Sequence, residues 1–185
     1  MATVTALPTM YRGTRYRSRL EARVAAAFDA APIPYQYEPE GLQIGDVYYL
    51  PDFRLTAANV WVEVKPTWEA VKAETKAQAL AAARQPTVYL FPRRDHLLSD
   101  RDYLVMMAAG GQPSRFTSVA WTRCPSCNVI TPWCIGAGAA PCCLSGADPD
   151  VWWDGNRSLA CSGPFIHFGV LSLPQYQDGK MLWSR

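Results

Sequence analysis

Cysteine is missing from most of this chain. None precedes Cys124, and all six fall between Cys124 and Cys161. A disulfide framework is thereby excluded for everything upstream, and in a reducing compartment such a late cluster reads as metal ligands before disulfides. Long apolar runs are missing too. No stretch approaches the ~20 residues that a membrane span needs, so no membrane partner is expected. The opening MATVTALPTM has neither the basic n-region nor the long apolar h-region of a signal peptide, and a soluble, cytoplasmic protein is expected. A surplus of one charge is also lacking. The net charge of +2 does not announce a nucleic-acid binder, and a composition of 49% hydrophobic and 18% charged residues excludes a wholly disordered chain. There are no internal repeats. The 185 residues suffice for one domain with a real core, plus a small appendage.

Charge is present locally. Arg12, Arg15, Arg17, Arg19 and Arg23 crowd the first segment, against only Glu21 and Asp29 before residue 30. This is a basic face useful for phosphates, or else a solvated helix end. Residues 1–14 read as a loose, flexible basic arm. SRLEARVAAAFDAA, residues 18–31, reads as a helix. Ser18 and Glu21 form an S-x-x-E capping box, Leu20, Val24, Ala27 and Phe28 give an apolar face, and Pro32 and Pro34 stop it. PYQYEPE, residues 34–40, alternates Tyr35 and Tyr37 with polar residues and reads as a strand. GLQIGD turns the chain. VYYLPDFRL and VWVEVK are then two strands joined by a turn at 56–59. Residues 67–83 are strongly helical by propensity, PTVYLFP at 86–92 is a short buried strand, and a further helix is expected over 100–109. The order helix, three strands, helix, strand, helix implies a mixed α/β core.

The hairpin carries the chemistry. Side chains alternate along a strand, so Val60, Val62 and Val64 point into the core while Trp61, Glu63 and Lys65 share the other face. Pro51 bends or bulges the first strand just before Asp52. Pairing around the 56–59 turn brings Asp52 close to Glu63. Two adjacent carboxylates repel, a divalent cation removes the repulsion, and an all-oxygen ligand set suits Mg²⁺ or Mn²⁺. Lys65 beside them can hold a water or stabilise negative charge developing on a phosphate. The plainer reading of the same residues is a turn Asp and a surface Glu–Lys pair on an edge strand.

PDF at 51–53, followed across a hairpin by EVK at 63–65, with the SRLEAR helix and the YEPE strand upstream, resembles the PD-(D/E)XK nuclease superfamily. Together these features resemble a phage and mobile-element branch that includes junction-resolving endonucleases and transposon end-cleaving subunits. The resemblance covers about residues 15–92. It implies a restriction-endonuclease-like mixed sheet flanked by helices over residues 15–112, and Mg²⁺-dependent endonuclease activity leaving 5′-phosphate products. It implies Asp52 and Glu63 as metal ligands with the backbone carbonyl of Val64, and Lys65 as the residue that orients or activates water. Glu21 matches an extra acidic ligand of many members, although the capping box offers it a structural task instead. Glu38 matches the strand acid, with a salt bridge to a neighbouring arginine as the alternative. DNA is the expected partner, gripped by Arg15, Arg17, Arg19 and, on the following helix, Lys72 and Lys76, which also fit a solvated helix face. A homodimer and a larger nucleoprotein complex are both open, as is a catalytically silent or partner-dependent subunit.

From residue 119 cysteine, glycine, proline and tryptophan take over and periodicity disappears, so residues 113–185 read as a small cysteine-rich, zinc-binding subdomain. Cys124 and Cys127 form a C-x-x-C knuckle that points two thiolates at one ion. No second C-x-x-C follows. Cys142 or Cys143, with Cys161 or Cys134, would complete structural Zn²⁺, and Cys124, Cys127, Cys142 and Cys161 are the expected ligands. Packed free thiols and an iron–sulfur cluster are the alternatives. The family members with such clusters use an upstream cysteine that this chain lacks. His167, flanked by apolar residues in FIHFGV, reads as a core histidine. Trp121, Trp133, Trp152 and Trp153 read as cover for a small core, with base stacking as the functional alternative.

Overall fold

The computed structural model describes residues 6–58, 60–66, 87–91, 103–106, 114–116, 119–123, 128–134, 166–169 and 174–183. They form a mixed α/β fold with one helix among the described residues, α1 (Arg19–Ala30). Ser18 caps it in extended conformation, its hydroxyl accepting the Glu21 amide at 3.1 Å. Ala22, Val24, Ala25, Ala27 and Phe28 form the buried face. The Ala31 amide closes the last turn on Ala27 at 3.0 Å and Ile33 reaches back to Phe28 at 2.9 Å, so the chain leaves the helix just where the prolines forbid its continuation.

A six-stranded sheet supports the helix, in the order β10 (Ser114–Phe116), β9 (Tyr103–Met106), β8 (Thr87–Phe91), β7 (Val60–Val64), β6 (Phe53–Leu55), β3 (Tyr35–Tyr37). All neighbours are antiparallel except β7 and β8. A parallel pair needs a crossover of a dozen or more residues. Residues 65–86 supply it, and the helix expected over 67–83 lies outside the described residues. Phe53 sits at the centre of the packing, 0% exposed. Its ring lies 5.6 Å from Phe28, 5.6 Å from Tyr35 and 5.3 Å from Tyr37. The valines of β7 join the same cluster.

Several expectations change here. The supposed loose arm holds a hairpin, β1 (Thr9–Tyr11) and β2 (Thr14–Tyr16), with Thr9 opposite Tyr16. Arg12 (φ 48°) and Gly13 (φ 81°) are both left-handed, the geometry that two-residue turns need to match strand twist. GLQIGD is not a simple turn. Its first half is β4 (Leu42–Ile44), which pairs with β5 (Val47–Tyr49) as a separate ribbon, and VYYLPDFRL breaks at Pro51 into β5 and β6. Residues 103–106, expected to be helical, form β9, because pairing with β8 outweighs local propensity. The large sheet ends in β10, beside the expected 112/113 boundary.

Further on, β12 (Ile130–Cys134), β11 (Val119–Arg123) and β13 (Ile166–Gly169) form a three-stranded antiparallel sheet. His167 lies on β13, as the strand-like run implied. Ile130 is buried in the same cluster as Phe28 and Phe53, with Val129 against it. A last ribbon, β14 (Gln175–Gln177) and β15 (Lys180–Leu182), turns through Asp178 and Gly179, both at positive φ. It docks on α1. The Arg23 Nε–H donates to the Pro174 carbonyl at 2.7 Å, the Arg19 guanidinium lies 5.2 Å from the Tyr176 ring centre, and Met181 packs on the core.

Candidate active site

Asp52 and Glu63 face one another because of register. Phe53 pairs with Val62, and one residue further along the antiparallel pair puts Asp52 opposite Glu63. The Asp52 amide donates to Glu63 Oε1 at 3.1 Å, and the Tyr49 hydroxyl donates to the same oxygen at 2.7 Å. The Val64 amide donates to Asp52 Oδ2 at 2.8 Å. Lys65 Nζ pairs with Glu63 Oε2 at 2.8 Å. Both carboxylates are buried, Asp52 5% and Glu63 2% exposed.

The start of α1 closes the other side. The Ser18 hydroxyl donates to Glu21 Oε1 at 2.7 Å, while Glu21 Oε2 accepts from the Tyr37 hydroxyl at 2.7 Å and the Arg17 amide at 3.2 Å. The Arg17 guanidinium bridges Asp52 Oδ1 and Glu38 Oε1, each at 2.5 Å. Glu38 has φ 43°, a left-handed conformation that disfavours a residue with a Cβ. Its amide donates to the Asp52 carbonyl at 3.0 Å. Arg17, Ser18, Glu21, Asp52, Glu63 and Lys65 line one cavity of about 420 Å³, with Leu50, Val64 and Pro66.

The electrostatics follow from burial. Desolvation, then the Glu63 carboxylate, push Asp52 up to about 8, against the opposing pull of the Val64 amide. Burial works against the Arg17 charge, but Asp52 and then Glu38 outweigh it and raise its pKa. Burial, followed by the hydrogen bond to Glu21, raises that of the Tyr37 hydroxyl. Three acids, Glu21, Asp52 and Glu63, thus line the cavity with two cations, Arg17 and Lys65.

The expected residues Glu21, Asp52, Glu63, Val64, Lys65 and Arg17 come together here. Arg19 does not: it stacks on Tyr176. Arg15 is exposed on β2. Arg12 pairs with Asp29 at 3.2 Å. Lys72, Lys76, Cys124, Cys127, Cys142 and Cys161 lie outside the described residues. Cys124 and Cys127 fall in the connection between the paired strands β11 and β12. The sequence reading missed Tyr49 and Tyr37 as partners of the acids. A tyrosine three residues before Asp52, and one beside the YEPE acid, were the available signals.

Among the described residues, no group of three or more His, Cys, Asp or Glu side chains is arranged to hold a metal ion. Both oxygens of Glu21 accept hydrogen bonds here, from Ser18, Tyr37 and the Arg17 amide. The Asp52–Glu63 pair still suits Mg²⁺, which keeps several waters and commonly takes only one or two carboxylates. Its donors are all oxygen, and each carboxylate is paired with one cation, Arg17 or Lys65. Compared with protein-family models, with curated proteins and with solved structures, the chain matches none.

Proposed function

We propose that the chain is a divalent-metal-dependent DNA endonuclease of PD-(D/E)XK type, with a restriction-endonuclease-like core and a zinc-stapled C-terminal part. The observation that supports this reading most is the pair of buried, facing carboxylates, Asp52 and Glu63, sharing a cavity with Lys65. A structural pair on an edge strand would sit in water, whereas β7 is buried along its whole length. Asp52 and Glu63 would hold Mg²⁺ or Mn²⁺ with the Val64 carbonyl, and the ion would supply charge relief on the phosphoryl oxygens. Lys65, two residues along the strand from Glu63, orients the attacking water or meets charge developing on the phosphate. Tyr49 and the Asp52 amide fix Glu63, and the Val64 amide fixes Asp52, so neither carboxylate has to reorganise. Glu21 acts through Ser18 and Tyr37 by fixing the helix start that carries Arg17.

Branched DNA and phage or transposon DNA ends are the substrates proposed, alongside ordinary duplex. Cleavage of linear duplex, single-stranded, flap and four-way-junction DNA is measured with Mg²⁺, with Mn²⁺ and with EDTA. Wild type is expected to cut at least one member in a metal-dependent way, and Glu63→Ala to lose at least about a hundredfold in rate. Equal cutting by Glu63→Ala overturns the reading.

One observation favours a second reading, a subunit whose DNA grip comes from a partner. Arg12, Arg17, Arg19 and Arg23 are engaged with Asp29, Asp52 and Glu38, Tyr176 and Pro174 respectively. The basic face that the sequence offered to phosphates is thus largely used within the chain. Strong salt-dependent DNA binding by the isolated chain would exclude that version.

A further inference from the structure

Each carboxylate of the buried pair has one oxygen fixed by the backbone or a buried hydroxyl and one oxygen held by a side-chain cation. On Asp52, the Val64 amide fixes Oδ2 and Arg17 holds Oδ1. On Glu63, Tyr49 and the Asp52 amide fix Oε1 and Lys65 holds Oε2. The two cations differ in situation. The Lys65 side chain is 23% exposed, whereas that of Arg17 is 52% exposed and reaches in from solvent to a nearly buried acid. Arg17 also has a second anchor, Glu38, whose strained backbone sits one hydrogen bond from the Asp52 carbonyl.

We propose that Arg17 is the resident counter-ion of Asp52 Oδ1 and competes with a divalent cation for that oxygen, while Glu38 keeps the displaced guanidinium at the site, where it can meet a phosphate. The inference rests on the metal-site reading above. Asp52 Oδ1 is the oxygen for such an exchange, because a half-exposed guanidinium can move to Glu38 and water, whereas the Val64 amide is fixed in the sheet. Arg17 is a positioning residue here, and the quantity it governs is affinity for the ion.

The test is isothermal titration of Mn²⁺ into protein dialysed free of divalent cations. Wild type, Arg17→Ala, Asp52→Asn and, as a charge-matched control on the exposed β15, Lys180→Ala are compared. Arg17→Ala is expected to bind Mn²⁺ about three- to tenfold more tightly than wild type, the size of an ion pair removed from competition. Lys180→Ala should match wild type and Asp52→Asn should lose the binding. Should Arg17→Ala not fold by circular dichroism, Arg17→Gln removes the charge while keeping a side chain that reaches Asp52, with the same expected direction. Unchanged or weaker binding on loss of Arg17 overturns the competition while leaving the metal site standing. Binding that survives in Asp52→Asn, or is absent from wild type and Arg17→Ala alike, overturns the metal reading and the competition together.

Discussion

Burial gives Asp52 a pH dependence of its own. Its folded pKa of about 8 lies above its ordinary 3.8, so between those values the folded chain binds the proton that the unfolded chain has released. Stability falls as pH rises wherever the folded state holds more protons. The contribution of Asp52 is therefore fully present below its unfolded value and is lost as pH rises through about 8. In EDTA, the melting temperature of wild type should fall relative to that of Asp52→Asn between about pH 5 and pH 8. Thermal melts at a series of pH values read this difference. A constant gap across the window would mean that Asp52 titrates normally and that the pair is adequately compensated. Millimolar Mg²⁺ should flatten the slope, since a cation favours the ionised pair.

The helix α1 joins strong local propensity to a fixed first turn. Its apolar face is rich in alanine and has only Val24 and Phe28 as large fully buried anchors. Its start is fixed by the reciprocal bonds of Ser18 and Glu21. Ser18→Ala should cost about 1 kcal/mol of unfolding free energy in urea titration, the usual value of such a cap. The same change removes a donor from Glu21, which leaves Tyr37 and the Arg17 amide to hold it. No loss of stability would show that the cap is replaced by water and that Glu21 is available for another task. The β1–β2 hairpin precedes this turn, so the arm expected to be loose instead delivers Arg17 to the cavity from a fixed strand.

At the scale of the fold, an aromatic cluster among the described residues joins helix to sheet. Phe53 contacts Phe28 on α1 and Tyr35 and Tyr37 on β3 while sitting next to Asp52 in sequence. Phe53→Ala should lower unfolding free energy by about 3–5 kcal/mol, as for other fully buried aromatics. A loss under about 1 kcal/mol would mean that the cluster collapses without a cavity. Ile130 and Met181 reach the same cluster from the second half of the chain. Residues from both sides of the expected 112/113 boundary thus meet in one apolar centre among the described residues.

The local signals carried a good deal. Ser18 with Glu21 marked the helix start, alternation placed the valines of β7 inward, and the spacing of Asp52, Glu63 and Lys65 on paired strands put all three together, because strand period and hairpin register are short-range properties. Long-range partners could not be read this way. Whether YLVM at 103–106 is helix or strand depended on β8 offering an edge. Whether the early arginines face phosphate or protein depended on Asp29, Glu38, Asp52 and Tyr176 arriving beside them. That Glu63 is buried rather than at an exposed edge depended on β8 covering β7. Charge and period are written in the chain, but burial, and with it the raised pKa of Asp52 and the place of Arg17, exists only once distant segments exclude water from between them.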